Sequence, residues 1–181
     1  MMNETLNHAI KQIDTDYTHV LEFGVNSGRT ITQLKNQLKN KNYNLYGFDS
    51  FIGLPEDWEG TRHKKGEMSL NGVIPNIEGV KFFKGWFTDT IPEYIKEAQP
   101  IALLHVDCDL YSSTKQVLYG LKSYILPGTV LVFDEWYYNH HDIEENRQHE
   151  QKAFYEWVND FNINFKLFDL IEDERRIVKI L

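Results

Sequence analysis

An α/β domain built on a mostly parallel sheet is the fold class this sequence predicts, and two observations predict it. Short β-rich runs alternate with longer stretches of helical spacing, the pattern of βα units laid into one sheet. The chain then closes on two strand-like runs joined by a turn too short for a parallel crossover, so that last pair must be antiparallel. Together they give a Rossmann-like three-layer sandwich. Its seven-stranded sheet is parallel except for a C-terminal antiparallel hairpin, and one domain spans 1–181.

Each element has a local reason. His19 to Phe23 is the first β-rich run. Thr30 to Leu38 follows as a helix, with Ile31, Leu34 and Leu38 spaced along one face. Tyr43 to Phe48 reads as the second strand, and Ser50 to Gly79 as a long loop rich in Gly, Pro, Asp and Glu. Compact domains keep such loops when they have a use, and a lid or substrate loop over a site is a common one. Val80 to Phe83 is the third strand, and Thr90 to Glu97 a short helix ended ahead of Pro100. Ile101 to Val106 is an apolar fourth strand closed by Asp107, Cys108 and Asp109, with a helix from Ser112 to Tyr124 behind it. Pro127 and Gly128 turn the chain into Thr129 to Phe133, the fifth strand. A helix from about Glu145 to Phe161, a strand Phe165 to Phe168, a charged turn at Glu172 to Glu174 and a strand Arg176 to Leu181 complete the chain.

Composition narrows the function. The 27 acidic residues outnumber the 19 basic ones for a net charge of -8, and the lysines are scattered, so a nucleic-acid backbone would be repelled. Cys108 is the only cysteine and no apolar run reaches membrane-spanning length; a reducing, cytoplasmic setting without membrane attachment is the expectation.

Two motifs point to a nucleoside cofactor. After the first strand comes Glu22-Phe23-Gly24-Val25-Asn26-Ser27-Gly28-Arg29-Thr30, a strand-loop-helix junction with two glycines. Glycine permits the tight turn and a close ligand approach, and the helix start offers unpaired N–H groups. Asn26, Ser27 and Thr30 would serve by hydrogen bonding and capping. A pyrophosphate-binding dinucleotide loop needs three glycines at fixed spacing, and this loop lacks it. Glu22 would repel a pyrophosphate but accept a hydrogen bond from a cationic amino-acid moiety. Asp49, at the end of the second strand, stands where an acid accepts ribose hydroxyls; its alternative role is to cap the next turn.

Acids also gather where the fourth and fifth strands end. Asp107 and Asp109 close one, Asp134 and Glu135 the other, and both ends share the ligand-binding edge of a parallel sheet. Four carboxylates together repel one another, so a hard, oxygen-loving cation is the simplest reason for them. The alternative leaves Asp107 facing a ligand, Asp109 capping the next helix, and Asp134 and Glu135 starting a solvated loop. His105, inside the strand, reads as a core residue, Tyr111 as packing or a cap on the metal site, and His140 and His141 as surface residues within reach of a substrate.

The ordered set Glu22-Phe23-Gly24-Val25 with Gly28 and Thr30, Asp49-Ser50-Phe51 into Gly53-Leu54-Pro55, Lys84-Gly85-Trp86-Phe87 before Thr90-Ile91-Pro92, His105 through Thr114, and Asp134-Glu135-Trp136 resembles the macrocin O-methyltransferase family. The resemblance implies a class I methyltransferase fold with S-adenosylmethionine held by Glu22, Gly24, Asn26, Ser27, Gly28, Thr30, Asp49 and Ser50. Trp86 and Phe87 would lie against the adenine. It further implies methyl transfer to a hydroxyl of a sugar or glycoside, and chelation of a metal by two adjacent hydroxyls extends the expectation to other small vicinal diols. Mg²⁺ would be held by Asp107, Asp134 and Glu135, and Asp107 would also be the base. Two departures stand out: relatives carry longer amino-terminal segments that cover the cofactor and assist homo-oligomers, and Glu135 replaces a second Asp. Other functions compatible with a Rossmann-like fold are an NAD-dependent oxidoreductase, a non-catalytic nucleoside-binding module and a metal-dependent phosphate hydrolase. The missing third glycine counts against the first, and the lack of a phosphate site near the acids against the last.

Overall fold

A computed structural model of the chain describes residues 4–39, 41–137, 149–169, 171 and 174–181. Its elements run α1 (Glu4–Lys11), β1 (His19–Phe23), α2 (Arg29–Leu38), β2 (Asn44–Asp49), β3 (Val80–Lys84), α3 (Phe87–Ile95), β4 (Ile101–Val106), α4 (Tyr111–Gly120), β5 (Val130–Phe133), α5 (Glu150–Phe161), β6 (Phe165–Leu167) and β7 (Arg176–Ile180). The strands form one sheet in the order β3-β2-β1-β4-β5-β7-β6. All pairs among the first five strands are parallel; β7 runs antiparallel to both β5 and β6. The expected sandwich and terminal hairpin are therefore present, and the hairpin inserts its second strand between β5 and β6.

Alternation of side chains explains the layers. Val20, Leu45, Leu103 and Val132 pack with α1 and α2 on one face, where Leu6, Ile31, Leu34 and Leu38 are buried. Leu21, Phe48, Leu104 and Phe133 turn to the other face against Ile91 and Tyr94 of α3, Val117 and Leu118 of α4, and Phe154 and Trp157 of α5. With both faces covered, β1, β4 and β5 are buried along their whole length.

Boundaries shift at three places. Helix α3 begins at Phe87, not Thr90, because Asp89 and Thr90 N–H both donate to the Trp86 carbonyl and close a turn ahead of Pro92. Helix α4 ends at Gly120, where 121–125 tighten into turns on the Leu121 carbonyl. Helix α5 is described from Glu150; positions 145–148, His140 and His141, and residues 172–173 of the charged turn lie outside the described residues.

The long 50–79 stretch has no helix or strand but is tied to itself. Leu54 N–H donates to the Glu67 carbonyl, Gly66 N–H to the Leu54 carbonyl, and Leu70 and Gly72 N–H to the Phe51 carbonyl. Leu54 and Trp58 form a small apolar cluster with Leu110, which sits directly after the acids of β4. Among the described residues no helix is long and apolar enough to cross a membrane.

Candidate active site at the carboxyl edge of the sheet

A cavity of about 520 Å³ opens where β1, β2 and β4 end. Its wall joins Gly24, Asn26, Ser27, Arg29 and Thr30 to Asp49 and Ser50, to Trp86, Phe87 and Thr88, and to Asp107, Cys108 and Asp109. Successive segments about 20–40 residues apart in sequence meet here because parallel strands place every carboxyl end on one edge. The 50–79 stretch closes one side with Gly53, Leu54, Pro55, Lys65 and Met68, while Ser113 and Gln116 of α4 close another. Lys65, Met68 and Gln116 lie outside the sequence motifs, and Arg29 and Ser113 lie within them without an assigned role.

Asp49 holds the two loops that frame one end of the cavity. Its Oδ2 accepts from Asn26 N–H at 2.7 Å and its Oδ1 from Phe51 N–H at 2.6 Å. It thus caps the next turn and orients the glycine loop at once, and each oxygen retains a second lone pair for a ligand hydroxyl. Asn26 sits in the left-handed region at φ 47°, with its Nδ2 donating to the Met68 carbonyl and its Oδ1 accepting from Ser27 N–H. Ser50 Oγ donates to the Gly53 carbonyl and accepts from Ile52 N–H, which starts the 50–79 stretch. Trp86 stands partly exposed at the head of α3, and Phe87 meets Phe23 edge-on at 5.0 Å.

The two glycines act differently from the sequence reading. Gly24, at φ +90°, backs onto the β4 end, where a Cβ would lie 1.6 Å from the Asp107 carbonyl oxygen. Gly28, at φ +79°, is the first residue of the helix cap; a Cβ there would meet Ile77 Cδ1 at 2.5 Å, and Gly28 does not line the cavity. Neither a serine nor a threonine side chain caps α2. The glycines are thus demanded by packing and backbone geometry, beyond the close ligand approach that the sequence suggests.

Glu22 also departs from its expected place. It is wholly buried and stays outside the cavity wall, because β1 register sets it beside His105 on the α2 face. Glu22 Oε2 lies 3.4 Å from His105 Nδ1, and Asp134 Oδ1 lies 3.5 Å from His105 Nε2. Burial opposes charge on His105, but the two flanking carboxylates raise its pKa well above the usual value. Burial likewise raises Glu22.

The expected trio Asp107, Asp134 and Glu135 is not gathered at one point. Asp107 is shared between two groupings: with Asp109 and Glu135, and with His105 and Asp134, each with ligand atoms within 4.8 Å of one another. Asp134 is instead gripped by Arg175, Nε to Oδ1 at 2.5 Å and Nη2 to Oδ2 at 3.2 Å. Asp109 does not cap α4; it holds φ 63°, a strained backbone that costs roughly 1–3 kcal/mol and persists where the surroundings enforce it. Burial raises the Asp107 carboxyl well above its usual range and brings Asp109 up to about 7, with the charge of Asp134 adding to both. Burial and neighbouring acids also raise Glu135. Among the described residues Glu135 Oε2 is buried without a hydrogen-bond partner, and Asp107 and Asp109 each bring a hard carboxylate oxygen within 4.8 Å of a Glu135 carboxylate oxygen. Asp107, Asp109 and Glu135 therefore fit a hard divalent cation.

The remaining expectations resolve simply. Tyr111 OH donates to Glu156 on the α4–α5 surface, outside the cavity wall. Cys108 is buried and its thiol pKa is raised, first by burial and then by Glu150. Glu150, unmarked by any motif, is a further wholly buried carboxylate behind the acids.

Comparison with known proteins agrees with this architecture. The family described as macrocin-O-methyltransferase (TylF) matches residues 2–162. A curated relative from Streptomyces olivaceus, 8-demethyl-8-(2,3-dimethoxy-alpha-L-rhamnosyl)-tetracenomycin-C 4'-O-methyltransferase, is 32% identical over 49% of this chain; the match spans 40% of that protein's length. Among solved structures, CalS11, a calicheamicin methyltransferase, superposes with TM-score 0.77 at 20% identity, covering 97% of this chain and 77% of that one. The O-methyltransferase NovP gives 0.75 at 22% identity, over 97% and 78%. The sheet order, the edge cavity and the family match agree, and the chain belongs to the macrocin-O-methyltransferase family.

Proposed function

We propose that the chain transfers a methyl group from S-adenosylmethionine to a hydroxyl oxygen of a sugar, glycoside or other small vicinal diol, assisted by a divalent cation such as Mg²⁺. The observation that carries this reading is one cavity wall running from the glycine loop and Asp49 to Asp107 and Asp109. A nucleoside end and an acid end thus share a single space. The names of the similar proteins, a rhamnosyl-tetracenomycin 4'-O-methyltransferase and a TDP-rhamnose 3'-O-methyltransferase, support a sugar hydroxyl as acceptor.

When bound, S-adenosylmethionine supplies the electrophilic methyl group, and a divalent cation lowers the pKa of a hydroxyl beside it. Asp49 would hold the ribose, and Trp86 and Phe87 would flank the adenine. Asp107, with its raised pKa, is suited to take the acceptor's proton near neutral pH. The cation would rest on Asp107, Asp109 and Glu135, in place of the trio with Asp134. The 50–79 stretch serves as a lid: Leu54 and Trp58 seat on Leu110, and Ser112 Oγ donates to Glu56 at 2.5 Å. Excluding water there strengthens every interaction with the acids.

The test is transfer of labelled methyl from S-adenosylmethionine to a panel of rhamnosylated acceptors, with and without EDTA. Transfer that EDTA abolishes and Mg²⁺ or Mn²⁺ restores supports the reading. Full activity in excess EDTA removes the cation. Binding of NAD in preference to S-adenosylmethionine removes the methyltransferase assignment.

A further inference from the structure

Glu150 opens α5, 42 residues beyond Cys108 in sequence, yet its side chain is wholly buried behind the ends of β4 and β5. Its Oε1 accepts from Cys108 N–H at 3.4 Å and its Oε2 from Glu135 N–H at 3.2 Å. One carboxylate therefore spans the two turns that carry Asp107 and Asp109 on one side and Glu135 on the other. An acid in the first turn of a helix ordinarily serves the helix dipole from the solvent side. Glu150 instead turns both oxygens to amides in the turns after β4 and β5.

Consequences for the acids follow from the chain geometry. Cys108 lies between Asp107 and Asp109, so fixing its amide fixes the turn that presents both carboxylates. That turn is tight: Leu110 N–H donates to the Cys108 carbonyl at 2.6 Å, and Asp109 adopts its left-handed conformation within it. Beyond β5, Asp134 N–H is secured on the Val106 carbonyl, whereas the Glu135 amide has Glu150 as its acceptor. Without Glu150 the gap between Asp109 and Glu135 has no direct tie across it among the hydrogen bonds described.

We propose that Glu150 is a positioning residue that sets the spacing of Asp107, Asp109 and Glu135 by clamping the Cys108 and Glu135 amides. The proposal rests on the reading of those three acids as a cation site, and it assigns Glu150 no contact with substrate or cation. Loss of a group that orients ligating residues typically costs about 10–100-fold in cation affinity.

The test uses the full chain with E150A and E150Q. E150Q keeps the shape and one acceptor, so it should retain part of what E150A loses. Amide hydrogen exchange in the metal-free protein should speed up at Cys108 and Glu135 in E150A, with Leu103 and Leu104 unchanged. Mn²⁺ affinity, followed by electron paramagnetic resonance, should fall by about 10–100-fold in E150A and less in E150Q. S-adenosylhomocysteine affinity, by calorimetry, should stay within about twofold. Unchanged exchange at the two amides overturns the clamp, and faster exchange with unchanged Mn²⁺ affinity reduces Glu150 to a structural residue. If the unsubstituted protein binds no Mn²⁺, the cation reading fails by itself. Glu150 is then judged on turnover: a drop in kcat at constant KM, larger in E150A than in E150Q, sustains it, and unchanged kcat removes it. Should E150A not fold, the same readouts on E150Q decide.

Discussion

Arg175 and Asp134 form a two-pronged ion pair, Nε to Oδ1 at 2.5 Å and Nη2 to Oδ2 at 3.2 Å, that ties the β6–β7 turn to the end of β5. Asp134 is thereby committed to a guanidinium. Burial works against its charge, but the adjacent His105 imidazole and the two hydrogen bonds from Arg175 prevail and hold its pKa well below the usual carboxylate range. A depressed native pKa lends stability that is complete above the unfolded value of about 4 and is lost as pH falls through the native one. Arg175→Met should therefore cost about 1.5–3 kcal/mol at pH 7, with the difference shrinking as the solution is acidified below pH 4. Urea unfolding from pH 3 to pH 8 measures it, and equal midpoints at pH 7 would show that the pair contributes nothing.

Asp109 behaves in the opposite sense. Its native pKa of about 7, raised first by burial and then by Asp134, means that the folded, metal-free protein binds more protons than the unfolded chain between about pH 4 and 7. This group therefore makes the metal-free protein less stable as pH rises through that window. Asp109→Asn should flatten that decline and raise the melting temperature at pH 8 without metal. The same variant should bind Mn²⁺ more weakly, so stability and cation affinity should move apart. A melting curve at pH 8 that drops in the variant would contradict this assignment.

For Asp49 the expected loss is in cofactor affinity. Asp49→Ala removes the acceptor proposed for the ribose, and a hydrogen bond to a charged group is worth roughly 1.5–3 kcal/mol, so S-adenosylhomocysteine should bind about tenfold to a hundredfold more weakly. The melting temperature should fall as well, because Asn26 and Phe51 N–H lose their shared acceptor. Calorimetric affinity equal to that of the unsubstituted protein would take Asp49 out of the binding site.

The two loop glycines should separate cleanly. Gly24→Ala drives a Cβ into the Asp107 carbonyl, a clash with backbone that cannot rotate away, and should cost on the order of 4 kcal/mol or more. Gly28→Ala pays mainly the left-handed backbone penalty of about 1–2 kcal/mol, since Ile77 is a side chain that can shift. Denaturant midpoints for the pair check the order, and comparable losses would mean that the loop yields at β4.

What the sequence by itself determined is local in origin. The apolar runs of β1, β4 and β5, the amphipathic face of α2 and the tight terminal turn each follow from spacing within a dozen residues, and they suffice for the sandwich and its antiparallel end. Parallel strands then bring the glycine loop, Asp49 and Asp107 to one edge, so those members of the site were legible too. The tertiary structure decided which partner each acid meets. Glu22 faces His105 because β1 and β4 align those two positions, not because of its place beside the glycine loop. Asp134 meets Arg175 only because β7 pairs with β5, and Glu150 reaches Cys108 only because α5 packs over the sheet behind α4. Side-chain period is a property of a short segment, whereas the pairing of buried charges depends on strand order and register, which bring together residues from about forty to more than eighty positions apart.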